Sequence, residues 1–175
     1  MGVKQEAIST ASASALRWEK TYPGLASTAQ EVRSDVQAIL GPCPDLVADD
    51  VILVASELAA NAIRHSQSGQ ADGTYTVGVL HCFESEKIPY VWIQVEDQGS
   101  PSWDGIMRPE PLHGLALIKY LSAWMGSSER PDGCRTVYAR LDYRADGTRL
   151  RETGPVPELP PDLISEDITA KAKAP

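Results

Sequence analysis

Basic residues are in short supply in this sequence. Sixteen Lys and Arg stand against 24 Asp and Glu, giving a formal net charge of −8 over 175 residues. That balance excludes nucleic-acid binding by bulk electrostatics, which needs clustered cations. Cysteine is scarce as well. Cys43, Cys82 and Cys134 are widely spaced and odd in number, so they form neither a disulfide framework nor a zinc pattern and read as small buried residues. His81 and Cys82 are neighbours in a predicted strand, where adjacent side chains point to opposite faces and make a poor ligand pair. No apolar run reaches membrane-spanning length, and the first residues lack a basic segment followed by an apolar core. Glu6 breaks the myristoylation pattern after Gly2. The expectation is a cytoplasmic protein with no membrane contact. What is present, 42% hydrophobic and 23% charged residues, suits one globular domain large enough to bury a core.

Residues 1–13 are rich in Ala and Ser without useful periodicity and are expected to fray. Leu16, Trp18, Lys20 and Tyr22 alternate with Arg17, Glu19 and Thr21, which predicts an edge-like strand ending at Pro23-Gly24. Ser27 or Thr28 is placed to cap a helix running to about Leu40, with Val32, Val36, Ile39 and Leu40 inward. Asp45 is placed to cap a long second helix ending near His65-Ser66, followed by a polar turn over 67–73. Two strands follow, from Tyr75 to about Glu84 and from Tyr90 to Val95, joined by a hairpin loop. Residues 97–112 hold Gly99, Pro101, Gly105, Pro109 and Pro111 and fit no regular element; a loop of that length in a compact domain is usually functional. A helix is predicted from Gly114 to Met125, ended by Gly126, and a last strand from Cys134 to Tyr143. The Pro-rich acidic stretch over 145–175 reads as a disordered tail, leaving 14–144 as the domain. The order of elements implies an α+β fold, a two-layer sandwich whose mixed sheet carries its helices on one face.

The second helix is the most informative segment. Val51, Ile52, Val54, Ala55, Leu58, Ala59, Ala62 and Ile63 mark a packed face. Glu57 and Asn61 lie four residues apart on the neighbouring stripe, continued by Arg64 and His65. A carboxylate and a carboxamide beside aliphatic residues cost free energy unless they have partners, so they point to a site. Asp97-Gln98-Gly99 follows a hydrophobic strand: the carboxylate can accept a hydrogen bond from an exocyclic amine, and Gly99 lets a flat ring approach the backbone. The same tripeptide is common in ordinary turns. Leu112-His113-Gly114-Leu115 opens a helix whose first N–H groups suit phosphate, or is a plain helix start. Thr136 read alone is a routine outward strand residue.

Taken in order, these pieces resemble the GHKL ATPase superfamily and its Bergerat ATP-binding fold. They are most similar to the actinobacterial ATP-binding regulators related to anti-sigma-factor serine/threonine kinases. The resemblance rests on Ser56-Glu-Leu-Ala-Ala-Asn-Ala-Ile-Arg-His-Ser66, Glu96-Asp-Gln-Gly-Ser-Pro101, His113-Gly-Leu-Ala-Leu-Ile118 and Thr136-Val-Tyr-Ala139. It implies ATP and magnesium as cofactors, with Asn61 holding the metal and Glu57 as the general base. It further implies that Asp97 reads the adenine amino group with Thr136, that Gly99 makes room, and that His113, Gly114 and Leu115 meet the phosphates. Arg64 and His65 would add positive charge or close the helix. The phosphoryl acceptor would be a serine or threonine on a small antagonist protein, and relatives also bind a sigma factor; a homodimer is left open. The family's glycine box reads Gly-Arg-Gly-Leu where this chain has Leu112-His113-Gly114-Leu115, so one glycine and one fixed positive charge are missing from the lid. A non-catalytic module that binds a regulator is therefore the competing expectation. A metal-dependent hydrolase using Glu57 and His65 lacks a coherent ligand set.

Overall fold

The computed structural model describes residues 4–10, 13–41, 43–85, 88–100 and 114–151. Seven strands and three α-helices lie along the chain: β1 (Lys4–Thr10), β2 (Ala13–Pro23), α1 (Thr28–Ile39), α2 (Asp45–His65), β3 (Thr74–Ser85), β4 (Tyr90–Asp97), α3 (Gly114–Leu121), β5 (Trp124–Glu129), β6 (Arg135–Tyr143) and β7 (Arg149–Leu150). The sheet runs β1-β2-β3-β4-β6-β5, with β7 also on β6. This is the expected two-layer α+β arrangement. Mixed strand directions were anticipated; each described pairing is antiparallel.

Period-two patterning decides the two faces of the sheet. Trp18 and Tyr22 on β2, Tyr75, Val77 and Val79 on β3, Val91, Ile93 and Val95 on β4, and Val137, Ala139 and Leu141 on β6 all enter the core. The helices meet them with Val32, Val36 and Ile39 of α1, Val51, Val54, Ala55, Leu58, Ala59 and Ala62 of α2, and Ile118 and Leu121 of α3. Each fully buried Val, Leu or Ile contributes about 1.5–3 kcal/mol relative to exposure. The stripes therefore fix which face of each helix turns inward. The opposite sheet face carries a second cluster, in which Trp92, Trp124 and Tyr138 stack with centroids 4.9–5.8 Å apart. Arg140 lies over the Tyr90 ring beside them.

Polar side chains tie the layers at both ends of the sheet. Lys20 and the Tyr22 hydroxyl both donate to Asp35 of α1, and Arg149 of β7 pairs with Asp50 of α2 at 3.0 Å. Buried His81 shares a 2.6 Å hydrogen bond with the Tyr143 hydroxyl. The three cysteines are free; Cys43 is buried as expected, whereas Cys82 and Cys134 are only half-buried. Among the described residues no helix is long and apolar enough to cross a membrane.

Four local expectations need correction. Residues 4–10 do not fray; they pair along their whole length with β2, which is therefore not an edge. Ser-Ala-rich sequence carries no apolar period that would announce a strand. The third helix stops at Leu121, and Trp124–Glu129 form strand β5 across Gly126. That glycine sits opposite Tyr138, where a Cβ would meet the phenol ring at 2.7 Å. Neither anticipated cap is made. Ser27 at the α1 N-cap makes no side-chain cap bond, while the Thr28 hydroxyl joins Leu25 O and the Tyr75 hydroxyl. Pro44, not Asp45, occupies the α2 N-cap, and Asp45 supplies negative charge to the first turn. Finally, Arg149–Leu150 form a short strand where the tail was expected to have begun; residues 152–175 lie outside the described set.

Candidate functional site

The polar stripe of α2 lies at the border of its buried face. Ser56 turns back to donate to Ile52 O at 2.7 Å, satisfying its hydroxyl within the helix. Glu57 is about one third exposed. Arg64 Nη2 lies 3.8 Å from Glu57 Oε2 and donates to Asn61 Oδ1 at 3.3 Å. The other end of that amide is different: Asn61 Nδ2 is buried with no hydrogen-bond partner among the described residues. An unsatisfied buried amide costs about 1–3 kcal/mol. Such an atom on a half-exposed stripe is where a ligand group would lower the free energy. His65 is exposed in the last turn of α2.

The first turn of α3 is packed on this stripe. Gly114 lies so close to Glu57 that a Cβ there would collide with its Oε2 atom. The glycine thus lets the helix start approach the carboxylate closely. Leu115 packs partly against the core. His113 lies outside the described residues, as does 101–112, so the lid reading rests on Gly114 and Leu115 alone.

At the end of β4, Asp97 and its turn are fixed to the C-terminal end of α2. Gln67 N donates to Gly99 O at 2.8 Å, and Gln98 N donates to Ser68 Oγ at 2.9 Å. Ser68 is fully buried, and its own N–H donates to Ser66 Oγ at 3.0 Å. Gly99 adopts φ +68°, and a Cβ there would strike the Gly133 carbonyl. Close backbone packing, rather than room for a ring, accounts for glycine at this point.

Asp97 itself is almost wholly buried and multiply bonded. Gly99 N–H donates to Oδ1 at 2.7 Å. Arg135 Nε and Nη2 both donate to Oδ2, at 3.1 and 2.6 Å. Burial pushes the Asp97 carboxyl above its ordinary value, while the Arg135 guanidinium and the Gly99 amide pull it back. The register of β4 and β6 puts Asp97 opposite Arg135 and Glu96 opposite Thr136. Alternation then sends Thr136 to the sheet face away from the helices, with Glu96 and Ser128. The structure thus brings Glu57, Asn61 and Gly114 together and locks Asp97 and Gly99 to the end of the same helix. It does not bring Thr136 to Asp97. Arg135, Ser66 and Ser68 are the residues that sequence reasoning missed.

This donor set fits a nucleotide held with a magnesium ion. Among the described residues no three His, Cys, Asp or Glu side chains are grouped to hold a metal. Magnesium, however, is usually held by one or two protein oxygens, with phosphates and water completing the shell. Asn61 is the side chain that would supply the amide oxygen, which here accepts from Arg64; its unpartnered atom is the Nδ2 donor, which suits an acceptor such as a phosphate oxygen and not a cation. The N–H groups of the first turn of a helix such as α3 suit phosphate.

A search of curated proteins returns no significant match. The sequence does match the histidine kinase-like ATPase domain over residues 22–141, which runs from the end of β2 into β6 and includes every residue of the site just described. With more than half of its length matched, the chain belongs to the histidine kinase-like ATPase domain family.

Proposed function

We propose that this chain is an ATP-binding regulator that phosphorylates a serine or threonine on a small antagonist protein, in a partner-switching system that also involves a sigma factor. One observation carries the nucleotide part: Glu57, the under-satisfied Asn61 amide and the Gly114 helix start share one stripe of α2. The kinase and partner parts rest on the motif resemblance. Bound magnesium-ATP would supply the transferable phosphoryl group and neutralise its charge. Asn61 holds the metal, and the N–H groups at Gly114 and Leu115, with His113, meet the phosphates. Glu57 takes the proton from the attacking hydroxyl, and Arg64 beside it keeps that carboxylate oriented. Asp97 accepts the base amino group. Thr136, on the far sheet face, serves that pocket only through its backbone.

The test is calorimetric titration with ATP and ADP, with and without magnesium. Magnesium-dependent binding in the micromolar range, about −8 kcal/mol, is the expected outcome. Absence of binding at millimolar nucleotide would remove the kinase reading. The second reading, a scaffold that acts only by holding a regulator, is favoured by one specific feature: both oxygens of Asp97 are already engaged.

A further inference from the structure

The Asn61 amide has two unlike ends, and its surroundings say which way round it lies. Arg64 Nη2 donates to its oxygen at 3.3 Å. A guanidinium has no acceptor, so the end that meets Arg64 has to be the oxygen, and the N–H₂ end is turned away from it. That end is buried and has no hydrogen-bond partner among the described residues. Leu58 and Ala62, its neighbours on the packed side of α2, are apolar. Glu57, one turn back, lies against Gly114 and within 3.8 Å of Arg64 instead. Two N–H donors thus stand without an acceptor at the rim of the core, one helical turn from the start of α3, at a cost in free energy that none of the described residues offsets. A metal ligand has no use for them. For a cation alone a carboxylate would serve better, since carboxylates are the usual protein ligands of magnesium. An amide at this position answers a need for both polarities.

We propose that Asn61 is a phosphate-binding residue whose Nδ2 group donates a hydrogen bond to a phosphate oxygen of the nucleotide. This rests on the nucleotide-binding reading given above and adds a contact to that site. No existing bond has to break. The amide oxygen carries two acceptor positions; Arg64 fills one, and the other stays open to the magnesium ion. Arg64, more than half exposed, keeps its place. The two ends of the amide then match a metal–phosphate pair, oxygen toward the cation and N–H toward the anion. The contact selects for a phosphate group and is indifferent to the base. An aspartate here would hold the cation and repel the phosphate oxygen.

Nuclear magnetic resonance of the full chain labelled with nitrogen-15 reads the Asn61 side-chain amide directly, with occupancy followed by calorimetry. Addition of ADP and magnesium should move one Nδ2 proton downfield and slow its exchange with water. Magnesium chloride alone, and adenosine, which has no phosphate, should leave it in place. An unmoved proton at saturating ADP, or an equal shift with either control, overturns the proposal while the nucleotide reading stands. If calorimetry shows no ADP binding, both fall. Asn61→Asp is the second measurement. It keeps an oxygen for Arg64 and the metal, and exchanges the donor for a carboxylate oxygen. The variant should bind magnesium-ADP at least about tenfold more weakly than wild type. Equal or tighter binding, the result expected of a plain metal ligand, overturns the proposal. The wild-type resonance separates a lost donor from an added charge, and decides alone if the variant does not fold.

Discussion

At the scale of single residues, the proposed roles separate binding from chemistry. Asn61→Ala removes the amide but no packed apolar group, so the thermal midpoint should move little while magnesium-dependent ATP binding is lost. Equal affinity for ATP in the mutant would show that Asn61 is not the metal ligand. Glu57→Ala should retain ATP affinity and lose at least about 100-fold in transfer rate, the usual worth of a positioned base; phosphate release or transfer assays read the difference. His81 gives a prediction about stability. Burial pushes its imidazole down to about 4, against a backbone contact with Leu40 that acts to raise it. The unfolded chain takes up a proton near the ordinary value of about 6.5, whereas the folded chain resists until about pH 4. Stability contributed by the neutral ring is therefore full above pH 6.5 and falls as pH drops through that window. Denaturant titrations at pH 7 and 5 should show a smaller loss for His81→Gln than for wild type.

Elements explain what could be read in advance and what could not. The stripes of α1 and α2 were legible because their apolar residues recur at helical spacing: Val32, Val36 and Ile39 of α1 and Val51, Val54, Ala55, Leu58, Ala59 and Ala62 of α2 are buried, with Ile52 and Ile63 partly so. Glu57 and Asn61 were legible because polar groups interrupt that pattern. Strand β5 was hidden, since Gly126, Ser127 and Ser128 lack both alternation and branched side chains. Its strand character comes from the β6 partner, through register and the Tyr138 ring over Gly126. Arg135 was hidden for another reason. It lies 38 residues from Asp97, and only the register of β4 on β6 makes them opposite. A reading by propensity would favour Gly126→Val in a strand. The packing predicts the reverse, a loss of about 1–3 kcal/mol from overcrowding against Tyr138, measurable by chemical denaturation. Gly114→Ala belongs here too. Its Cβ would displace the Glu57 carboxylate, so transfer should fall while the helix, which gains alanine, keeps or slightly raises its stability.

Across the whole molecule, one apolar core is fastened at two distant points. Asp35 joins α1 to β2, and Asp50 joins α2 to β7. Partial burial pushes the Asp35 carboxyl up, but hydrogen bonds from Lys20 and Tyr22 hold it below its ordinary value. Asp35→Ala leaves the buried Tyr22 hydroxyl without that acceptor and should cost about 1–3 kcal/mol. Asp50→Ala breaks a partly exposed pair and should cost about 1 kcal/mol or less. Four strand spacings or so, about 19 Å, separate the two ties. Their effects should add within about 0.5 kcal/mol in the double mutant. A larger discrepancy would mean that strain passes between the ends through the sheet.

The stacked rings of Trp92, Trp124 and Tyr138 bear on how this protein can be watched. Their planes lie within 18–32° of one another, close enough for their ultraviolet transitions to mix and give a strong chiral signal set by the twist of β4, β6 and β5. The polar stripe of α2 lies on the opposite side of that sheet. The chain thus carries an optical gauge of its own scaffold on the face away from that stripe, and a change in that signal on adding a ligand would mean that the sheet itself had bent.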